Sequence, residues 1–338
     1  MTTVRDLGEH ALIARITSRL TAPRWVVVGP GDDAAVIEPQ PRALDVLTTD
    51  ALVEGVHFDR RFCPLDAIGH KALAVNLSDL AAMGAEPRAA LLSLILPHSL
   101  NVADVDAILD GMLALAARHR VAIVGGNITK SAAPGAAGPG PLVIDVAAIG
   151  AVGRRRILTR GAVGAGDELY VTGSIGAGAA GLQALWAGGE AATAEGLLHN
   201  RYLRPEPRTR AGMLLGRNRA ATACIDLSDG LADGIRQLAA ASGVGFTVDA
   251  SALPIDPAAR AWYERHGTDP VMSAVAGGDD YELLFTVRVS QRGRLRGVRQ
   301  QIGGLALTRI GVATRDTTLV LRTPAGNREL PAGFEHFR

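Results

Sequence analysis

The apolar residues of this chain follow two spacings, one typical of helices and one typical of short strands. In Leu65–Met83 they recur every three or four residues, with Pro64 and Gly84 as start and stop signals, and Val102–His119 has the same spacing. The apolar runs that predict strands are Trp25–Val28, Ala34–Ile37, Asp45–Thr49, Leu91–Leu96, Val121–Val124, Leu142–Ile149, Glu168–Thr172, Thr222–Ile225, Gly245–Val248 and Tyr281–Val287. Because strands and helices alternate in both halves, the pattern predicts an α/β fold and leaves the order and direction of the strands open.

Three further segments have helical character, and a low-complexity loop interrupts the first half. The additional predicted helices are Met1–Arg19, Thr209–Leu215 and Asp229–Ala241. The Ala/Gly/Pro-rich segment Ser131–Pro141 is expected to be a loop. A length of 338 residues exceeds one ordinary core and predicts two domains. We place their boundary near Gly153, so the expected domains are 1–153 and 154–338.

Composition and charge narrow the possible function classes. Lys+Arg 35 against Asp+Glu 34 leave a net charge of +1, so neither nucleic acid nor a membrane surface is expected as a partner. The apolar stretch Ala89–Leu96 is far shorter than the ~20 residues that span a bilayer, and charged residues in the first helix argue against a secretory leader. Two isolated cysteines, Cys63 and Cys224, favour neither a disulfide framework nor a Cys-rich zinc site, so a cytoplasmic protein is expected.

Acidic residues recur at the ends of apolar runs, flanked by glycine or a hydroxyl side chain. The four clusters are Gly31-Asp32-Asp33, Thr48-Thr49-Asp50, Asp226-Leu227-Ser228-Asp229-Gly230 and Gly277-Gly278-Asp279-Asp280. Since strand ends collect at one edge of an α/β sheet, these carboxylates and Asp79 are expected to converge there. Converging carboxylates need a cation, and oxygen ligands without Cys or His select a hard one such as Mg²⁺. For each single residue, capping of a helix or turn is the alternative.

The familiar nucleotide-binding motifs are missing from the sequence, with one partial exception. Neither a Gly-x-x-x-x-Gly-Lys-Ser/Thr loop nor a protein-kinase motif set occurs. Gly176, Gly178 and Gly181 match the dinucleotide pattern Gly-x-Gly-x-x-Gly, but the acidic residue expected at the end of a second strand is missing. We interpret these glycines as a tight turn with close helix packing, and a dinucleotide site of a dehydrogenase is the alternative.

The sequence resembles the thiamine-monophosphate kinase family over nearly its whole length. The blocks that carry the resemblance are Gly8-Glu9, Gly31-Asp32-Asp33-Ala34, Thr48-Thr49-Asp50, Glu54 to Phe58, Lys71 to Asp79, Gly125-Gly126-Asn127, Leu158-Thr159-Arg160, Leu203-Arg204-Pro205, Asp226 to Leu231, Gly277 to Leu284 and Gly333 to Phe337. This family shares a superfamily with aminoimidazole ribonucleotide synthetase and selenophosphate synthetase. The resemblance therefore implies the two-domain PurM-like fold, with mixed α+β sheets and a C-terminal α/β domain.

The resemblance also implies an ATP-dependent phosphotransferase whose acceptor is the phosphate of thiamine monophosphate. It implies a homodimer joined through the N-terminal sheets, with ATP and several Mg²⁺ ions held where the two domains of a subunit meet. The implied metal ligands are Asp33, Thr48, Thr49, Asp50, Asp79, Asp226 and Asp229. The residues implied to hold ATP are Gly126, Asn127, Arg160 and Ser228, and those implied to hold the thiamine part are His57, Asp279 and Phe334. Of these, Asp50, Asp229 and Arg160 would act directly in catalysis.

Two residues depart from the pattern of the family. Many relatives have Asp where Asn127 stands, and a neutral amide binds Mg²⁺ less strongly, so a ligand role for Asn127 stays open. Asp279 often appears as Glu in relatives, which shortens the side chain here and keeps its charge. The structural alternatives that also stay open are a turn role for His57 with backbone hydrogen bonds, a C-terminal anchor role for Phe334, and an ion pair of Arg160 with Asp167.

The expected reaction needs no general base. A phosphate monoester has a second pKa near ~6, so the acceptor oxygen is largely deprotonated at neutral pH. Repulsion between two anions is then the main obstacle, and Mg²⁺ ions and Arg160 can neutralise it while the γ-phosphoryl group is held in line. We therefore expect direct transfer without a phosphoenzyme. The alternatives are another ATP-dependent enzyme of the superfamily, such as aminoimidazole ribonucleotide synthetase, and a non-catalytic nucleotide-binding module.

Overall fold

The structure, a computed structural model, describes residues 2–132, 140–188 and 194–333. It divides into two compact units, the first formed by Met1–Leu80 and Glu86–Val152 and the second by Ala81–Ala85 and Gly153–Arg338. Across the described ranges, no helix combines the length and the apolar character that crossing a membrane requires.

The first unit is built on a four-stranded mixed sheet. Its strands are β1 (Val26–Val28), β2 (Val36–Ile37), β3 (Leu44–Val53), β4 (Glu86–Pro97), β5 (Ala122–Ser131) and β6 (Val143–Val152). Its helices are α1 (Val4–Leu7), α2 (Glu9–Thr17), α3 (Leu65–Ala82) and α4 (Val102–His119). The strand order is β3-β6-β4-β5, in which β4 and β5 run parallel and the other pairs run antiparallel. β1 and β2 form a separate two-stranded sheet.

The two faces of the four-stranded sheet differ in burial. Leu92 and Leu94 of β4 and Ile144 and Val146 of β6 are at most 5% exposed and point to the same face. Leu47 of β3 points to the opposite face and is 73% exposed. Since successive side chains of a strand alternate between the faces, the sheet has a core face and an open face.

The second unit is built on a seven-stranded sheet. Its strands are β7 (Glu168–Thr172), β8 (Ala223–Asp226), β9 (Gly245–Asp249), β10 (Leu283–Val287), β11 (Leu307–Thr314), β12 (Leu319–Thr323) and β13 (Gly326–Glu329). Its helices are α5 (Ala177–Trp186), α6 (Ala194–Leu203), α7 (Thr209–Arg217), α8 (Leu231–Ser242), α9 (Pro257–Arg265), α10 (Pro270–Ala276) and α11 (Arg292–Gln301). The strand order is β13-β12-β9-β11-β7-β10-β8; among these described strands β9 and β12 pair in parallel, and the other neighbours pair antiparallel.

Helices cover both faces of this sheet. On β10, Leu284 packs into the cluster that contains Ile235 of α8, whereas its neighbour Phe285 packs with Leu215 of α7 and Val298 of α11. Because β10 is buried on both sides, its five residues form a continuous apolar-rich run rather than an alternating one.

Most of the predicted elements are confirmed, and two predictions are wrong. Val102–His119 and Glu168–Thr172 form α4 and β7 with the predicted limits. The single N-terminal helix is wrong, because Gly8 at φ 82° separates α1 from α2. The prediction that the strands Asp45–Thr49 and Val121–Val124 end before Asp50 and Asn127 is wrong. Both residues lie inside strands, because β3 pairs with β6 through Val53 and β5 pairs with β4 through Ser131.

Candidate functional site

Side-chain alternation along β3 separates the predicted metal ligands of the first unit. Thr48 and Asp50 point to the core face, where Thr48 Oγ1 donates a hydrogen bond to Asp79 Oδ2 of α3 at 2.5 Å. Thr49 points to the open face. The structure therefore brings Thr48 and Asp79 into contact and directs Thr49 to the other side of the sheet.

Thr49 contacts a carboxylate that the sequence pattern did not single out. Its Oγ1 donates a hydrogen bond to Asp145 Oδ1 at 2.9 Å. Asp145 pairs with Ser93 and Ser93 pairs with Asn127, so these side chains form one row across β6, β4 and β5 on the open face. Asp145 stands in mid-strand without a flanking glycine, so only the register of the sheet could reveal it.

A groove with a volume of about 1070 Å³ lies on the open face of the first unit. Apolar side chains of α2, among them Ile13 and Ile16, form part of its lining. The polar part of the lining includes Asp33, Asn127 and Asp145. The groove therefore combines an apolar wall with oxygen donors, and it brings two predicted residues and one missed residue together.

Gly126 is a glycine because β5 approaches β4 closely at this point. A Cβ atom at Gly126 would lie 1.8 Å from the carbonyl oxygen of Leu92. Backbone cannot yield to relieve such a contact, so the sheet itself requires glycine here. This requirement exists whether or not a ligand binds beside Gly126.

His57 has a backbone partner, as its structural alternative predicted. The Val53 N–H donates a hydrogen bond to His57 Nδ1 at 3.1 Å. Because Nδ1 accepts this hydrogen bond, the proton of a neutral ring is assigned to Nε2. The backbone therefore fixes the orientation of the ring, and a role in binding the acceptor stays a prediction.

Two of the predicted clusters meet in the second unit. Because β8 and β10 are antiparallel, the end of β8 at Asp226 lies beside the start of β10 at Leu283. The Asp279 N–H donates a hydrogen bond to the Ser228 carbonyl oxygen at 2.7 Å. Ser228 Oγ in turn contacts Asp229 Oδ2 at 3.5 Å. The residue predicted to hold ATP, Ser228, and the residue predicted to hold the acceptor, Asp279, are thus neighbours.

The interpretation of the glycine-rich segment as a tight turn is confirmed, and the dinucleotide alternative is wrong. Gly176 has φ 86°, and a Cβ at Gly181 would lie 2.1 Å from a carbonyl oxygen of α6. The N–H groups of Gly176 and Gly178 both donate to the Asp280 carboxylate, at 2.7 and 3.1 Å. Since an internal carboxylate occupies the donors that would cradle a pyrophosphate, and β7 pairs antiparallel with both neighbours, this segment is not a Rossmann site.

A buried charge network lies behind the loop that carries Asp279 and Asp280. Glu282 is 0% exposed and accepts hydrogen bonds from Thr172, Arg201 and Arg208, the last two through their guanidinium groups. Burial raises the pKa of Asp280 to about 7, although the backbone N–H groups and Arg201 act in the opposite direction. The loop is therefore anchored by two buried carboxylates with different partners.

Arg160 does not pair with Asp167, so that alternative is wrong. Arg160 Nη1 donates a hydrogen bond to Gln237 Oε1 of α8 at 2.5 Å. Asp167 instead accepts from Thr222 Oγ1 at 2.8 Å and from the Gly164 N–H at 3.0 Å. Arg160 is exposed, and Gln237 directs its guanidinium group.

Phe334 and the metal ligands are the last of the predicted site residues. Phe334, predicted to hold the thiamine part, lies outside the described residues. In the part of the chain that the structure describes, no group of three or more His, Cys, Asp or Glu side chains is already gathered so as to hold a metal ion. The contact of Thr48 with Asp79 nevertheless offers the oxygen-only donor type that a hard cation prefers.

Family models cover most of the chain. The model described as AIR synthase related protein, N-terminal domain, matches residues 31–152, and the one described as AIR synthase related protein, C-terminal domain, matches residues 164–322. The chain is also 38% identical, over 314 residues, to the thiamine-monophosphate kinase of Salmonella typhimurium, and the match covers 91% of each chain.

Two solved structures resemble the chain over nearly its whole length. The thiamine-monophosphate kinase from Stenotrophomonas maltophilia has a TM-score of 0.80 and 39% identity, and the match covers 92% of this chain and 95% of that one. AaThiL, complexed with AMPPCP and TMP, has a TM-score of 0.77 and 32% identity, and the match covers 100% of this chain and 99% of that one. The similarity thus includes both compact units.

Proposed function

The chain belongs to the thiamine-monophosphate kinase family, and from this premise we propose that it transfers the γ-phosphoryl group of ATP to thiamine monophosphate. The products are thiamine diphosphate and ADP. One observation carries the proposal: the similarity extends through both units and includes a relative that was solved with an ATP analogue and TMP together.

Mg²⁺ is the cation that the donor chemistry supports. The candidate ligands Thr48, Asp50 and Asp79 on the core face of the first unit, and Asp226 and Asp229 in the second, offer only oxygen. Mg²⁺ prefers oxygen ligands and keeps several waters or phosphate oxygens, so it does not require a cage built from protein alone. When bound, it would neutralise charge on the phosphates. Asp33 and Thr49 are proposed as ligands as well, and because they lie on the open face they would bind ions other than the one beside Asp79.

The ATP phosphates are proposed to lie against the residues that the resemblance assigns to them. Gly126 offers a flat strand surface without a side chain, and Asn127 beside it lines the groove of the first unit. In the second unit Ser228 and Arg160 supply a hydroxyl and a guanidinium group, and the planar cation suits phosphate oxygens. In this proposal the first domain binds ATP and Mg²⁺, and the second completes the nucleotide and acceptor sites.

The thiamine part of the acceptor is proposed to contact His57, Asp279 and Phe334. Thiamine carries a positively charged ring and an aminopyrimidine, and the carboxylate of Asp279 attracts both. The acceptor phosphate is largely deprotonated at neutral pH, so the protein has no proton to remove from it. Its residues instead hold two anions together in line, and transfer is direct.

A homodimer joined through the N-terminal sheets is part of the proposal. The support is the open face of the four-stranded sheet, where Leu47 is 73% exposed and Leu91 is 38% exposed. Apolar area that is open to water is unfavourable, and a second sheet packed over this face would bury it.

Incubation with ATP, Mg²⁺ and thiamine monophosphate tests the function, with chromatography of the thiochrome derivatives to detect thiamine diphosphate. We expect product only when all three are present, and an Asp229→Ala variant should form almost none while keeping its circular dichroism spectrum. Absence of product from the wild-type chain would refute the proposal. Recovery of an acid-stable, alkali-labile and hydroxylamine-sensitive aspartyl phosphate from enzyme and ATP alone would refute direct transfer.

A further inference from the structure

The segment 277–282 has an unusual backbone next to the proposed acceptor residue. Asp279 has φ 64° and Tyr281 has φ 51°, so two residues that are not glycine adopt the left-handed conformation within three positions. This conformation is uncommon for an aspartate and rarer for an aromatic residue. Such strain persists only where surrounding contacts hold it in place, and it concentrates at binding sites.

Backbone hydrogen bonds hold one side of this segment. The N–H groups of Asp279 and Tyr281 donate to the carbonyl oxygens of Ser228 and Leu227 at 2.7 and 2.9 Å. The Leu227 N–H donates to the Glu282 carbonyl oxygen at 2.8 Å. Asp279, Tyr281 and Glu282 are thus attached to the loop between β8 and α8.

The side chain of Asp280 holds the other side. It is 4% exposed and accepts the N–H groups of Gly176 and Gly178, one on each carboxylate oxygen. The Tyr263 hydroxyl donates to the Gly176 carbonyl oxygen at 3.0 Å and secures the same turn. A Cβ at Gly178 would lie 2.3 Å from the Asp279 carbonyl oxygen, so the turn and the segment are in backbone contact.

The side chain of Tyr281 is hydrogen-bonded to the side chain of Asp279. The Tyr281 hydroxyl donates a hydrogen bond to Asp279 Oδ1 at 3.1 Å, and Tyr281 is itself 8% exposed. Two left-handed residues separated by one position bring these side chains together. A hydrogen bond to Oδ1 fixes the rotation of the carboxylate and therefore the direction of Oδ2.

We propose that Asp280 and Tyr281 are positioning residues for the acceptor: Asp280 ties the segment to the glycine turn before α5, and Tyr281 orients the Asp279 carboxylate toward thiamine monophosphate. This inference rests on the proposed kinase function. The N–H groups of Gly176 and Gly178 in the glycine-rich segment bind the Asp280 carboxylate and thereby hold the segment 277–282 in place. We also expect Asp280 and Tyr281 to affect the acceptor and to leave the nucleotide unaffected.

The test is steady-state kinetics of Tyr281→Phe, which removes one hydroxyl and keeps the ring. We expect KM for thiamine monophosphate to rise about tenfold, the effect of losing one hydrogen bond to a charged group, with KM for ATP and kcat within about twofold. The matched control is Tyr170→Phe. Tyr170 is 6% exposed, and its hydroxyl donates to Glu168 Oε2 at 3.1 Å, away from the segment. This variant should keep the wild-type KM values.

Asp280→Asn is the second variant, and it should raise KM for thiamine monophosphate at least as much. If Asp280→Asn does not fold, Tyr281→Phe decides alone. An unchanged acceptor KM in Tyr281→Phe, or equal rises in the KM values for ATP and acceptor, overturns the inference. A wild-type chain without kinase activity would instead overturn the function, so the two failures are distinguishable.

Discussion

Replacing Asp280 by asparagine should change how the free energy of unfolding depends on pH. Burial raises the pKa of this carboxyl from its ordinary value of 3.8 to about 7. At a pH between these two pKa values, the Asp280 carboxyl holds a proton in the folded protein and has lost it in the unfolded chain. The contribution of Asp280 to stability is therefore complete below about pH 4 and is lost as the pH rises through about 7.

The size of this change in the free energy of unfolding follows from the difference between the two pKa values of Asp280. Each pH unit is worth about 1.4 kcal/mol, so Asp280 should lower the free energy of unfolding by about 4 kcal/mol over about three units. The charge of Arg201 lowers the pKa of this carboxyl, and the charge of Glu282 raises it. Their effects, and that of the two backbone N–H groups, are smaller than the effect of burial. Burial therefore decides the direction of the effect, and the free energy of unfolding falls as the pH rises.

Urea unfolding of wild type and Asp280→Asn at about pH 5 and about pH 8 measures the difference. Trp262 is 4% exposed in the second unit and reports on it, in a background that carries Trp25→Phe and Trp186→Phe. We expect the wild type to lose about 3 kcal/mol relative to the variant between these conditions.

The control for this measurement is Asp249→Asn in the same unit. Hydrogen bonds from Ser251 hold the pKa of Asp249 below its ordinary value, so this carboxyl titrates below the window and should add no slope within it. Parallel pH profiles for wild type and Asp280→Asn would refute the argument, because they would show that burial does not keep Asp280 protonated near neutrality.

Three other predictions follow from the structure. Asp50→Ala should lower kcat by more than about 100-fold with the fold retained, whereas Asp45→Ala, an exposed carboxylate on the same strand, should leave kcat unchanged; equal losses would refute a specific role. Glu282→Gln removes the buried anion that two largely buried guanidinium groups share and should lower the free energy of unfolding by about 3 kcal/mol; a urea midpoint equal to that of wild type would contradict this. Gly126→Ala should lower the thermal midpoint more than Gly125→Ala, since its Cβ meets backbone at 1.8 Å and the other meets a side chain at 3.2 Å; the reverse order would contradict the packing argument.

The sequence by itself determined the elements whose signals are local. The helical spacing of Val102–His119 and the apolar run Glu168–Thr172 predicted α4 and β7 with their limits, because periodicity and end signals lie within each segment. The ordered motif blocks also identified the family. Both kinds of information are carried by neighbouring residues and need no knowledge of distant partners.

The tertiary structure decided what depends on pairing between distant segments. Adjacent residues of β3 point to opposite faces, so Thr48 meets Asp79 and Thr49 meets Asp145, although the motif had placed both threonines in one cluster. In the same way, Asp280 finds its partners about a hundred residues earlier, in the turn before α5. Strand register and side-chain alternation are set by the partner strand, and no local pattern contains that information.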